Sequence, residues 1–127
     1  MKVWVNGTFD IIHIGHIKML EYAASFGEVR VGVDTDSRVK EKKGSKRPFN
    51  TLANRIDFLR SIKYVNTVVP FNSDEELIEN IKFYSPDILI VGEEYKDKRV
   101  IGSSHVPKVI FYPRVGSFST SKILNHE

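Results

Sequence analysis

Short apolar runs of strand length alternate with segments of helical periodicity along almost the whole chain, and that alternation leaves few folds open. Val3-Trp4-Val5 reads as a first strand. His16 to Ser25 reads as a helix with Ile17, Leu20, Tyr22 and Ala24 on or near its apolar face, and Gly27 is a fitting C-terminal stop. Val29 to Val33 is a second strand that runs into Asp34-Thr35-Asp36. A basic stretch follows, and Asn50-Thr51-Leu52-Ala53 then opens a second helix, in which Ile56, Leu59 and Ile62 keep helical spacing. Val65 to Pro70 is a third strand. Ser73-Asp74-Glu75-Glu76 has the pattern of a capping box and starts a third helix, broken at Pro86-Asp87. Ile88-Leu89-Ile90-Val91-Gly92, the most apolar run, is expected to be a buried central strand. Val109 to Tyr112 is a fifth strand stopped by Pro113, and Ser119 onward reads as a short final helix.

Strands that alternate with helices imply a parallel sheet covered on both faces. With right-handed crossovers this is a doubly wound α/β fold with a five-stranded sheet. A chain of 127 residues with 41% hydrophobic and 28% charged residues suits one globular domain spanning 1–127. It has no cysteine, which excludes disulfides and thiolate metal sites and fits a reducing, cytoplasmic compartment. Asn6 and Gly7 cut the first apolar run too short for a signal-peptide core. No apolar run approaches the ~18 residues of a membrane span, so no membrane partner is expected. The net charge of +3 is mild and suits anionic small ligands without pointing to any one partner, and no nucleic-acid partner is expected. Basic residues cluster between Arg38 and Arg47, and a solvated loop is the plain reading of such a run.

Doubly wound sheets bind ligands beyond the carboxyl ends of their strands. The residues after Val5, Val33, Val91 and Tyr112 therefore matter most. After Val5 comes GTFDIIHIGH, residues 7–16. Gly7 and Gly15 allow close backbone approach. His13 and His16 are three apart, and in the first turn of a helix they would project to one side. A helix N-terminus attracts phosphate, and two imidazoles there add donors for an anion whose charge shifts during reaction. Two other readings stand beside this one. The histidines with Asp10 could bind zinc, or they could be unrelated surface residues.

GTFDIIHIGH resembles the N-terminal signature of the HxGH nucleotidyltransferases. Within them it is similar to the cytidylyltransferase-like group, which includes glycerol-3-phosphate cytidylyltransferase and the adenylyltransferase domain of ADP-heptose enzymes. The resemblance runs along almost the whole chain. It implies a Rossmann-like fold and transfer of a nucleoside monophosphate from CTP or ATP to a phosphate monoester, with release of pyrophosphate. It further implies that His13 and His16 hold the triphosphate while Gly7, Thr8, Phe9 and Asp10 line the nucleotide site.

The other strand ends extend the resemblance. At Asp34-Thr35-Asp36 it implies that Asp34 and Asp36 face the substrate, and that a following lysine reaches the phosphates. Lys40, Lys43 and Lys46 are candidates, and Lys43 is taken as the catalytic one. Lys43-Gly44-Ser45-Lys46-Arg47-Pro48-Phe49-Asn50 resembles the KGxxRPxN segment of heptose-phosphate adenylyltransferases. The helix after it carries Arg55, for which the resemblance implies contact with the acceptor phosphate; a surface arginine is the plain alternative. Gly92, Glu93 and Glu94 would face the ribose and base, although aspartate is frequent in the family where this chain has glutamate. Tyr95 to Ser104 again resembles the heptose-phosphate group. Arg114 to Ser121 resembles the RTxGxSTT signature of cytidylyltransferases, with Val115 and Ser121 in place of threonines. There Arg114 would neutralise triphosphate charge, and Ser119, Thr120 and Ser121 would cap a helix and donate to phosphate.

These readings converge on a nucleotidyltransferase. Its acceptor is a phosphorylated sugar or polyol, similar to heptose 1-phosphate or glycerol 3-phosphate. Mg²⁺ is expected to arrive bound to the nucleotide, with no dedicated protein metal site. A homodimer is expected from the resemblance and from symmetry base rates. The contrasting reading is a catalytically silent nucleotide-binding or sensing protein of the same fold.

Overall fold

In a computed structural model, which describes residues 1–113, the alternation becomes β1 (Lys2–Gly7), α1 (Ile14–Ala24), β2 (Glu28–Asp34), α2 (Asp36–Lys43), α3 (Leu52–Arg60), β3 (Thr67–Phe71), α4 (Asp74–Tyr84), β4 (Ile88–Gly92) and β5 (Lys108–Tyr112). The expectations for Arg114, Ser119, Thr120, Ser121 and the final helix lie outside the described residues. The five strands form one parallel sheet in the order β3-β2-β1-β4-β5. The chain winds outward from β1 through β2 to β3, then crosses back to β4 and β5. The reversal places the topological switch point between β1 and β4, where the register pairs Val5 with Ile90. This is the expected Rossmann-like α/β single domain.

The period-two geometry of the strands divides the core into two layers. Val3, Val5, Val29, Val31, Val33, Ile88 and Ile90 face one side and pack with Leu20 and Ala23 of α1 and Leu59 of α3. Trp4, Leu89 and Val91 face the other side and pack with Phe71 and with Leu77, Ile81 and Tyr84 of α4. Each large side chain fully buried here is worth roughly 1.5–3 kcal/mol. β-Branched residues dominate the central strands because both their faces are covered.

Two local outcomes differ from the sequence reading. The basic stretch is not simply a solvated loop: its first part forms α2, capped by the Thr35 side chain, which accepts the Arg38 N–H. Lys40, Lys42 and Lys43 fall in the last turn of α2, where cations complement the helix dipole. In addition, α1 starts at Ile14 and ends at Ala24, so Gly27 lies beyond the helix rather than at its cap.

Candidate active site

A cavity of about 380 Å³ lies at the carboxyl ends of the strands. Gly7 enters it from the end of β1 and Thr8 just after, Asp34 from the end of β2, Phe71 from β3, Gly92 and Glu94 from the β4 end, and Tyr112 and Pro113 from the β5 end. The switch-point rule thus locates this cavity from topology alone.

The histidines form a capping box with an uncommon composition. His13 is the N-cap of α1 rather than a residue of its first turn, and its Nδ1 accepts the Gly15 N–H at 3.1 Å. His16, three residues on, uses its own Nδ1 to accept the His13 N–H at 3.2 Å. Ser or Thr with Glu or Gln usually fill these two roles. Because each Nδ1 is an acceptor, the proton of each neutral ring sits on Nε2. The rings stack with centroids 3.9 Å apart, and the Phe9 ring lies 5.2 Å from that of His16. Burial, the neighbouring His13 and Lys43 push the His16 pKa down to about 4, so this ring is neutral at pH 7. Both rings line the cavity. Gly15 is required by close approach: a Cβ there would stand 2.9 Å from His13 Cε1. Phe9 itself adopts a φ of 50°, a left-handed conformation uncommon for so bulky a residue, and is buried against Gly7 and His16.

Helix phase decides which basic residues reach the cavity. Arg38 and Val39 of α2 face inward, and one turn later Lys42 and Lys43 do the same. Lys40 and Lys46 are not among the lining residues. Arg38 is only 6% exposed and is spent on carboxylates. Its Nη2 donates to Asp74 Oδ1 at 2.5 Å, and its Nε lies 3.3 Å from Asp34 Oδ2. Asp34 lines the cavity, and its burial raises its carboxyl pKa against the opposing pull of Arg38 and the lysines. Sequence reasoning missed Arg38 and Lys42; the i, i+4 spacing would have exposed both once the segment was read as a helix.

Three expected site residues are placed elsewhere. Asp10 is 1% exposed, and its carboxylate accepts the backbone N–H groups of Phe49 and Asn50, each at 2.7 Å. It ties the loop ahead of α3 to the loop after β1. Arg55 is fully buried rather than on the surface. Its guanidinium donates to the carbonyls of Thr8 (2.9 Å), Asp34 (2.8 Å) and Asn50 (3.1 Å) and to Asp36 Oδ1 (2.7 Å). Asp36 therefore partners Arg55, and none of these three lines the cavity. The physical reason is shared. Loops that meet at strand ends leave backbone groups without ladder partners, and buried groups of this kind need fixed side-chain partners. With Asp10 turned to amides and both Nδ1 atoms engaged, the three side chains of the zinc reading do not converge. Among the described residues no three His, Asp or Glu side chains are grouped to hold a metal ion.

On the β4 side, Glu94 faces the cavity and Glu93 does not. The turn that follows brings Tyr95, Arg99, Val100 and Ile101 to the cavity wall. Burial and the nearby Glu94 and Asp34 raise the Tyr95 hydroxyl pKa, so that group stays protonated. No helix among the described residues is long and apolar enough to cross a membrane.

The chain is similar to known proteins. The family model for cytidylyltransferase-like domains matches residues 4–111. The bifunctional protein HldE of Campylobacter jejuni subsp. jejuni serotype O:6 is 47% identical over 96% of this chain, and that of Helicobacter hepaticus is 40% identical over 96%. The chain spans about a quarter of the length of these relatives (26% and 25%). The solved structure of a lipopolysaccharide core biosynthesis protein from Thermoplasma volcanium matches with a TM-score of 0.69 at 22% identity, over 94% of this chain and 98% of that one. Pantothenate synthetase from Thermus thermophilus matches with a TM-score of 0.64 at 14% identity, over 90% of this chain and 56% of that one. At these identities the structural likeness is one of fold alone.

Proposed function

The chain belongs to the cytidylyltransferase-like family, and from that premise we propose that it transfers a nucleoside monophosphate from CTP or ATP to a phosphorylated sugar or polyol. The observation that carries this reading is the pair of histidines held as Nε2–H donors at the wall of the strand-end cavity. An oxygen of the acceptor phosphate attacks the α-phosphorus in line. The bond from that phosphorus to the bridging oxygen of the β-phosphate breaks, and pyrophosphate leaves with the electron pair. The acceptor phosphate is already ionised at pH 7 and needs no general base, so positioning and charge stabilisation do the catalysis. His13 and His16 donate to the triphosphate, and Lys43 adds positive charge beside His16. Thr8, Gly92 and Glu94 form the nucleotide side of the cavity and Asp34 the acceptor side. Arg114, Ser119, Thr120 and Ser121 would complete the triphosphate grip.

Mg²⁺ would enter with the nucleotide, held by phosphate oxygens, and supplies charge neutralisation there. Asp34 and Glu94 are the carboxylates that line the cavity. The segments Lys43–Asn50 and Tyr95–Ser104 favour a sugar phosphate such as heptose 1-phosphate, whereas the Arg114–Ser121 signature favours a polyol phosphate with CTP. A homodimer remains part of the proposal on symmetry grounds.

Pyrophosphate release across a panel of nucleoside triphosphates and phosphorylated acceptors tests the reading. Turnover is expected with one combination, and His16→Ala should lower kcat by about 10²-fold or more. Nucleotide binding with no release across the panel would establish the silent binding protein instead.

A further inference from the structure

The turn between β4 and β5 brings to the cavity a cation that the histidine pole does not use. Val100 and Ile101 pack onto the core layer beneath α4. Gly102 follows with φ +84°, and a Cβ there would meet Ile81 Cδ1 at 2.6 Å, so the turn sits directly on α4. This anchor fixes the backbone from the residue after Arg99 onward. The Arg99 side chain lines the cavity and makes no hydrogen bond or ion pair with a described residue. The Asp74 carboxyl shows what lies near it. Its hydrogen bond from Arg38, together with the fields of Lys42 and Arg99, lowers its pKa. Lys42 and Lys43 both act on Asp34. Lys42 also lines the surface groove with Ser73, Asp74 and Glu75 at the start of α4, and Arg99 enters the cavity from the turn seated on α4, whereas Lys43 also acts on His16. Arg38 is already neutralised by Asp34 and Asp74.

In-line transfer needs cations on two sides, because the attacking oxygen approaches the α-phosphorus from the side opposite the departing pyrophosphate. A phosphate monoester carries about −1.5 to −2 charge at pH 7, which two cations match. Phe71, Leu77, Val100 and Ile101 also line the cavity and pack together beneath α4, which gives the turn that carries Arg99 a fixed apolar footing. We propose that Arg99, together with Lys42, forms a second anion pole that takes the phosphate monoester of the acceptor and sets acceptor specificity. The proposal rests on the nucleotidyl-transfer reading for its acceptor and on the cavity geometry for its anion.

Arg99→Ala and Arg99→Lys in the full chain test it, with ATP or CTP as donor and glucose 1-phosphate and glycerol 3-phosphate as acceptor probes. Arg99→Ala should raise KM for the acceptor about tenfold or more and leave KM for the nucleotide within about twofold, and Arg99→Lys should recover part of the loss. Unchanged acceptor KM, or an equal rise for both substrates, overturns the proposal. Arg99 is exposed, so the variants should melt like the wild type. NMR titration of the two monoesters into nucleotide-free protein reads the pole without turnover. Binding that weakens in Arg99→Ala while the wild type releases no pyrophosphate would sink the transfer reading and keep the pole. Binding that is absent from the wild type, or equal in both proteins, would remove the pole whatever the turnover.

Discussion

His16 shows how one side chain acquires its chemistry from its surroundings. Its burial, the stacked His13 ring and Lys43 all disfavour the imidazolium, and the His13 N–H holds the lone pair of Nδ1. The result is a neutral Nε2–H donor that costs less to desolvate than a cation. A polyanion bound beside it favours the imidazolium, so nucleotide should raise the pKa of this ring. The NMR titration of His16, near pH 4 in the free protein, should move upward when nucleotide is bound. An unmoved titration would place the phosphates away from His16. The same shift makes stability depend on pH. The unfolded ring titrates near 6.5 and the folded ring near 4, so between those values only the unfolded chain holds the proton. The stability that His16 contributes above pH 6.5 is lost as pH falls toward 4, by ~3 kcal/mol at most. Asp34 acts in the opposite sense. Its raised pKa lets the folded chain take up that proton first, which offsets part of the loss. His16→Gln keeps an acceptor at the third helical position, so the capping box survives without the titrating ring. Urea midpoints between pH ~7 and ~4.5 should fall less steeply for His16→Gln than for the wild type, and parallel slopes would contradict this account.

Elements set the aim of these residues. The cap of α1 orients two rings at once, and the phase of α2 selects Lys42 and Lys43 over Lys40. A capped start made of histidines gave no capping signal in the sequence, because the usual patterns name Ser, Thr, Asp or Asn. For that reason the sequence reading began α1 at His16, two residues late, and did not find His13 as its cap. The basic run was hidden for a different reason. Its six lysines and arginines between Arg38 and Arg47 leave Val39 as its one aliphatic residue, so hydrophobic periodicity had nothing to register. The 100–102 segment is fixed by the left-handed Gly102 against Ile81. Gly102→Ala should destabilise the fold by about 1–3 kcal/mol, through backbone strain and the clash, measured by denaturant unfolding. A variant as stable as the wild type would show that the turn does not depend on this close contact.

At the scale of the molecule, the network around Arg55 joins three loops: Thr8 after β1, Asp34–Asp36 after β2, and Asn50 before α3. Replacing Arg55 with Met would leave buried carbonyls without donors and should cost about 2–4 kcal/mol, read as a lowered melting temperature. Unchanged melting with a raised acceptor KM would return Arg55 to the acceptor site. Arg55 and Asp10 are polar residues beside a nucleotide-type motif, and in sequence that company makes them look like ligands. Only the folded chain shows that their partners are its own backbone groups and, for Arg55, the Asp36 carboxylate as well. The strands were legible because period-two and period-3.6 patterns are local, and the most apolar run, Ile88–Gly92, became β4 with unchanged bounds. The cavity's position was legible too, since it follows from parallel topology. What the sequence by itself determined, then, was the α/β class, the strand-end location of the site and the histidine motif. What only the tertiary structure decided was which charges face the cavity and which are spent in the frame: Lys43 against Lys40, Glu94 against Glu93, Arg99 against Arg55. Side-chain direction depends on helix phase and on contacts between residues distant in sequence, such as Arg38 with Asp74 or Arg55 with Thr8, and no local pattern encodes those.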